Sequence, residues 1–276
     1  MKGIKPAQAL NDYKENERYW SDGKLVYFRY NIIKNADLGS FEQFPGSWAK
    51  DKKYCYSLYT RLKNADVFTF EVLNYTYAKD KNNVWTLAGR IPEADPATFE
   101  VCDEGKQSQG FTFVLSDQNK REKIESFLPY GFGKDQNNVY YYDFALKTKI
   151  LKNAIPSSFK SLNDGYFGYD ENSVFCGKSI LPKANPKTWK KLEDNYFYSK
   201  DQNRIYYFNT LMKEADAASF EIVIVPSIFE TPKHYAKDKN FFYFSDTICS
   251  KEEFEKCIAE DMFENQKIKN KMFTFE

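Results

Sequence analysis

The stretch Tyr77-Ala78-Lys79-Asp80-Lys81-Asn82-Asn83-Val84-Trp85 carries the pattern on which the fold turns. An aromatic stands three positions before Asp80, another five positions after it, and an apolar residue precedes the second aromatic. Two short apolar runs around Asp-x-Asn-x read as a β-hairpin. The carboxylate can accept the backbone N–H two residues on, and Asn tolerates left-handed dihedrals. If the two residues after Asp80 form the loop, Ala78 faces Trp85, a small residue opposite a large one on one face of the ladder.

The same columns recur around Asp22, Asp51, Asp80, Asp135, Asp170, Asp201 and Asp238. At position −3 stand Tyr19, Trp48, Tyr77, Phe132, Phe167, Tyr198 and Tyr235; at +5 stand Tyr27, Tyr56, Trp85, Tyr140, Phe175, Tyr206 and Tyr243. Aromatic residues make up 18% of the chain, too few for chance to satisfy both rules at all seven of these aspartates. Position −2 is small in six of the seven: Ala49, Ala78, Gly133, Gly168, Ser199 and Ala236. Behind six of the seven hairpins comes a long apolar residue (Ile33, Leu62, Ile91, Leu151, Leu181, Met212). Then follow Ala with Asp or Asn, as at Ala94-Asp95 and Ala184-Asn185, and a closing aromatic: Phe41, Phe70, Phe99, Trp189 or Phe220. Asp95-Pro96 and Asn185-Pro186 place a capping residue ahead of Pro at a first helical position, so a helical turn is expected there. The closing aromatic should plug between hairpins, with a short strand such as Phe99-Glu100-Val101 after it.

Both faces of the hairpin are largely apolar, so each unit must stack on its neighbours, which is the logic of a repeat array. The expected fold is all-β: a tandem array of about seven β-hairpin repeats, elongated or curved like a solenoid. A seven-bladed propeller is the alternative, set second because blades usually need four strands and about forty residues.

The residues quoted above, with residues 132–141 and 235–243 and the Ala-Asp-Pro-x-Thr-Phe-Glu-Val element at 94–101, resemble the bacterial DKNYY repeat family, named for that run. The resemblance covers residues 17 to 254. It implies repeat architecture and a bacterial origin, and the family carries no catalytic motif to transfer.

The aspartate spacing runs 29, 29, 55, 35, 31 and 37. The large step contains residues 103–131, which lack the columns and read as a decayed repeat, a hairpin insertion or a domain junction. Insertions in arrays often map to the binding face. Phe111, Phe113, Arg121, Phe127 and Tyr130 are therefore the candidate partner-binding residues. At the end of the chain, Ser250-Lys251-Glu252-Glu253 is a capping box, and Phe254, Cys257, Ile258 and Met262 recur at helical spacing. An amphipathic helix there would cap the last repeat. The chain accordingly divides into residues 1–102 (N-terminal cap and repeats one to three), 103–131, 132–249 (repeats four to seven) and 250–276.

Machinery for chemistry is scarce. Forty basic and thirty-nine acidic residues leave a net charge of +1, without the basic excess of a nucleic-acid binder. Five cysteines, an odd number with no C-x-x-C pair, make a disulfide framework or zinc site unexpected and suit a reducing compartment. His234 is the sole histidine, and Gly131-Phe132-Gly133 opens a strand instead of a phosphate loop. Each Asp-x-Asn loop brings one carboxylate, with a preceding Lys in five repeats, and so reads as a turn and not a calcium loop. The acidic column Asp37, Asp66, Asp95 and Asp216 reads as N-caps. No catalytic, cofactor-binding or metal-binding residues are expected. Aromatics at a fixed pitch could stack on sugars, but these columns fall on strand positions expected to be buried.

Residues 1–10 hold no apolar run of the kind a secretion signal needs. Ile222-Val223-Ile224-Val225 is far too short to span a bilayer. The expectation is a cytoplasmic, non-enzymatic repeat protein that binds another protein without inserting into a membrane. Its most concrete form is a bacterial immunity or inhibitor protein that masks a cognate toxin. The alternative is an envelope-associated ligand- or glycan-binding repeat protein, periplasmic or surface-exposed if a signal once preceded this sequence.

Overall fold

In the computed structural model, every aspartate motif lies between two short strands. The structure describes residues 3, 5–6, 19–115, 121–144, 147–192, 197–225 and 234–273, with side chains described for all of these except 109–126 and 269–273. The register is the one the loop length dictates: Ala49 faces Tyr56, Ala78 faces Trp85, Gly133 faces Tyr140, Ser199 faces Tyr206 and Ala236 faces Tyr243.

Each unit is nevertheless richer than a hairpin. After the second hairpin strand the chain turns at once into a third strand, as Thr60–Arg61 does beside Cys55–Ser57. Residues after the preceding closing aromatic form a leading strand, as Glu42–Phe44 does beside Trp48–Lys50. The second and third repeats are thus four-stranded antiparallel meanders, and the first is three-stranded. The argument that the units are too short for four strands fails because the strands are only two to three residues long. The turn into the third strand carries a positive-φ glycine only in the third and fifth repeats, at Gly89 and Gly177. Arg29, Leu58, Phe208 and Ser245 take the left-handed φ there, at 53°, 55°, 48° and 58°.

A second correction concerns the loop. None of the asparagines two places after the aspartates takes a positive φ; the left-handed asparagines are Asn35, Asn64, Asn153 and Asn163, in other turns. The loop is held instead by its aspartate. Asp51 Oδ1 accepts the N–H groups of Lys53 and Tyr54, both at 2.7 Å, and Asp80 Oδ1 accepts those of Asn82 and Asn83 at 2.7 and 2.8 Å.

The chain divides into two compact units, Met1–Asp170 and Glu171–Glu276. In the first, the closing aromatics of the first three repeats each sit between a ring of their own repeat and one of the next. Phe41 lies 5.5 Å from Tyr19 and 5.6 Å from Tyr56, and Phe99 lies 5.3 Å from Tyr77 and 5.8 Å from Tyr140. Phe70 does the same between Trp48 and Trp85. In the second unit, Phe220 lies between Tyr198 and Tyr243. Tilted rings at such separations add to their area burial, so one residue per repeat joins adjacent sheets. The expected helical turn is a single turn. Leu38–Ser40 is a 3-10 helix capped by Asp37, whose side chain accepts the Ser40 N–H.

Residues 106–129 form a hairpin of their own, inserted between the leading strand Glu100–Val101 and the strand Gly131–Lys134 of the fourth repeat. Its strands, Lys106–Leu115 and Arg121–Pro129, are ten and nine residues long and form a two-stranded sheet.

The helix Lys251–Phe273 closes the second unit. Ser250 Oγ accepts the Glu253 N–H at 3.2 Å and Glu253 Oε2 accepts the Ser250 N–H at 2.9 Å, the expected capping box. Phe254 packs on Tyr235 and Phe242 with Ile258 beside the cluster, while Cys257 and Met262 are exposed. The Tyr235 hydroxyl donates to Asp261 at 2.6 Å, tying the helix to the last repeat. Among the described residues, no helix is long and apolar enough to cross a membrane.

Candidate functional site

The recurrence of the aspartate motif invites a chemical reading, but its carboxylates are already occupied. Asp51 Oδ2 accepts the Tyr56 hydroxyl at 2.7 Å and the backbone N–H of Asp37, in the preceding turn, at 2.8 Å. Asp135 Oδ2 accepts the Tyr140 hydroxyl at 2.7 Å and the Asp95 N–H at 2.9 Å, and Asp238 does likewise with Tyr243 and Asp216. One carboxylate thus shapes its own loop and staples the previous repeat. A cation would have to displace all of those donors. Burial alone would raise the pKa of Asp135, but the N–H and O–H donors outweigh it and hold the group below the usual carboxylate value.

The residue after the aspartate completes the staple. Lys52 pairs with Asp37 at 2.6 Å, Lys81 with Asp66 at 2.8 Å and Lys239 with Asp216 at 3.0 Å. Hydrogen bonding from Lys52, then from Ser40, brings Asp37 down to about 2; Asp216 falls to about 2 through Ser219 and then Lys239. The acidic column therefore caps turns and receives lysines. Among the described residues no three His, Cys, Asp or Glu side chains converge as a metal would require.

The sugar-stacking reading asks for exposed rings. Tyr19, Trp48, Tyr77, Phe132, Phe167, Tyr198 and Tyr235 are all buried, as are Tyr56, Trp85, Tyr140, Phe175, Tyr206 and Tyr243. Their faces are used inside the fold.

Of the five candidate partner-binding residues, Phe127 and Tyr130 lie at the base of the inserted hairpin. Phe127 packs 6.0 Å from Tyr75 with the Lys106 ammonium 4.7 Å from its ring, and Tyr130 packs 5.7 Å from Tyr166. Both are half-buried anchors of the hairpin. Phe111, Phe113 and Arg121 lie on its strands, with backbone register opposite Glu125, Lys123 and Leu115 respectively. Their side chains lie outside the described residues.

Two surfaces escaped the sequence reading, because both belong to the third strand. That strand is the outer edge of its sheet. Ten positions after the aspartate it presents Ile32, Ile180 and Ile248, and Ile150 takes the place in the fourth repeat, all four exposed. In the second and third repeats the same column holds Arg61 and Arg90. Between those two strands runs a groove of about 660 Å³ lined by Ser57, Arg61, Lys63, Asn64, Asn83, Trp85 and Arg90 among others. Among the described residues no carboxylate lines it. The switch from Ile to Arg was readable as a column deviation, had the third strand been assigned.

Two half-buried titratable groups remain. His234 packs edge-on to Phe197 at 4.1 Å, its Nδ1 has no hydrogen-bond partner among the described residues, and burial lowers it to about 4, so it is neutral at pH 7. Asp103 accepts the N–H groups of Gly105 and Phe132 and the Ser161 hydroxyl, each at 2.9 Å, at the foot of the inserted hairpin. Burial nevertheless raises it to about 6.

Short antiparallel meanders, joined by a closing aromatic and an aspartate, define a tandem β-repeat protein whose recurring acids are structural. The chain belongs to the DKNYY family, whose model matches residues 48–210 and 198–276. Comparison with curated proteins and with solved structures gives no match.

Proposed function

We propose that this protein is a non-enzymatic binding protein that recognises another protein through the outer edge strands of its repeats. The observation that carries the reading is the exposed isoleucine column. Ile32, Ile150, Ile180 and Ile248 are 49%, 44%, 39% and 42% exposed, each on a strand whose far side has no neighbour in its sheet. An unpaired edge is a template for an added strand, and soluble proteins usually blunt it with charge or proline. Here the apolar residue is kept in four repeats. The inserted hairpin, a long two-stranded sheet, offers two further edges. The most specific form of the reading is an immunity or inhibitor protein that covers a toxin's active site.

The test is affinity capture from a lysate of the source bacterium with the tagged chain and with a variant carrying Ile32→Lys, Ile150→Lys, Ile180→Lys and Ile248→Lys. Exposed edge positions should accept lysine without unfolding. Stoichiometric capture of one protein by the parent chain, lost in the variant, supports the reading. Rescue of a host from that protein's toxicity by co-expression would support the inhibitor form. Equal capture by both places recognition elsewhere on the array. Capture by neither contradicts the reading.

A further inference from the structure

We infer that the groove between the third strands of the second and third repeats is an oxyanion-binding site that takes the carboxylates of an acidic, extended peptide. The inference rests on the protein-binding reading above and names the chemistry of one partner segment.

Four observations carry it. First, the groove holds three cations, Arg61, Lys63 and Arg90, all exposed, and no carboxylate. None of the three makes an ion pair among the described residues. Lys52 and Lys81, on the hairpin loops of the same two repeats, are paired instead. Second, the guanidinium groups are held in place. Arg61 lies 4.3 Å over the Tyr54 ring, and Arg90 donates to Asn83 Oδ1 at 3.4 Å. Such groups lose less freedom when they clamp a carboxylate.

Third, Ser57 lines the groove, is 5% exposed, and has a buried hydroxyl with no hydrogen-bond partner among the described residues. A buried hydroxyl left unpaired is unfavourable, and an acceptor oxygen entering the groove would satisfy it. Fourth, Arg61 and Arg90 stand where four other repeats carry isoleucine at one column of the edge strand. The backbone edge is kept while its side-chain chemistry changes from apolar to cationic. An extended peptide uses both features, pairing its backbone with the edge and its acidic side chains with the cations. A sugar finds less here, because Trp85, the one aromatic lining the groove, is only 2% exposed and offers no open face.

The experiment is fluorescence-anisotropy titration of the full chain with a labelled peptide alternating glutamate and threonine. Inorganic phosphate and polygalacturonate serve as competitors. Saturable, salt-sensitive peptide binding is expected, with a loss of about tenfold or more in Arg61→Ala/Arg90→Ala. Ser57→Ala is expected to weaken binding several-fold while the Tm of the free protein stays level or rises, because the hydroxyl has no partner to lose. A purely structural serine would show the opposite split. Phosphate displacing the peptide at equal concentration would replace the peptide by a free anion as occupant, and preferential displacement by polygalacturonate would replace it by an acidic glycan. Either result overturns the peptide assignment, as does equal peptide binding by parent and variants or no binding at all. If the Arg variant still captures the partner that the isoleucine variant loses, this inference falls and the protein-binding reading stands.

Discussion

The Oδ2 oxygen of Asp51 accepts the backbone N–H of Asp37 at 2.8 Å, so the loop of one repeat holds the turn of the repeat before it. The same bond joins Asp80 to Asp66, Asp135 to Asp95, Asp170 to Ile155, Asp201 to Asn185 and Asp238 to Asp216. Replacing the carboxylate by an amide at Asp135 sets an NH₂ against N–H and O–H donors that cannot all turn away. Asp135→Asn is expected to cost about 2–4 kcal/mol in urea unfolding. Among the described residues Asp22 makes only its own loop bonds and the Tyr27 contact, and it is exposed. Asp22→Asn should therefore cost clearly less. Equal losses at the two sites would mean that the inter-repeat bond contributes nothing.

A consensus argument and the packing disagree at Gly133. Ala occupies this column in three other repeats, which recommends Gly133→Ala as a stabilising change. A Cβ built there, however, would lie 2.5 Å from Phe99 Cζ, the closing aromatic of the preceding repeat. Gly168 stands in the same relation to Phe159, at 2.4 Å. These two repeats have drawn the ring closer than the alanine repeats have. Gly133→Ala is expected to destabilise by about 1–3 kcal/mol through overpacking. A rise in the urea midpoint would show that Phe99 moves aside freely.

Much of this fold was legible in the sequence because its determinants are local. A carboxylate two residues from a hairpin tip, a small residue opposite an aromatic, and a capping box before Phe254 each act within a few positions. The third strand was not legible. The backbone of Leu58 is turned left-handed by contacts made far away: its carbonyl accepts the Tyr19 hydroxyl at 2.6 Å, and its N–H donates to Ser47 at 2.8 Å. Nothing in a leucine announces that conformation. With the third strand unassigned, Arg61 and Arg90 had no column in which to stand out, and the groove stayed hidden. The inserted hairpin was seen as an irregularity, but Phe127 and Tyr130 proved to be its anchors, because their partners Tyr75 and Tyr166 lie in flanking repeats.

The cysteines should react in the order of their burial. Cys257 is exposed on the helix, whereas Cys55 and Cys176 are in the core. Burial pushes the Cys55 and Cys102 thiols up to about 12 and raises Cys249 as well, so little thiolate forms at any of the three. Ellman's reagent at pH 8 is expected to titrate one thiol rapidly in the native protein and all five in denaturant. Prompt loss of the fast phase in Cys257→Ser would assign it. A second thiol reacting as quickly would mean that a repeat opens readily.

Asp103 should give stability a pH dependence opposite in sign to that of the staples. Its folded pKa is about 6 against an ordinary value of 3.8, chiefly because it is buried, so the folded state holds the proton more tightly than the unfolded chain. Its contribution is fully present below about 4 and is lost as pH rises through about 6. Asp135 and Asp238 have lowered values, each set by hydrogen bonds that outweigh burial, so their contributions are present above the ordinary value and lost in stronger acid. Asp103 is partly open to solvent, and screening holds the expected swing to about 2 kcal/mol. Urea unfolding of the parent and of Asp103→Asn at pH 7 and at pH 4.5 isolates this term. The parent should gain on the variant as the pH falls, since only the parent sheds a buried charge. A difference that stays constant between the two pH values would show that the N–H groups of Phe132 and Gly105 and the Ser161 hydroxyl already compensate the ionised carboxylate in full. The foot of the inserted hairpin would then carry no stored electrostatic cost.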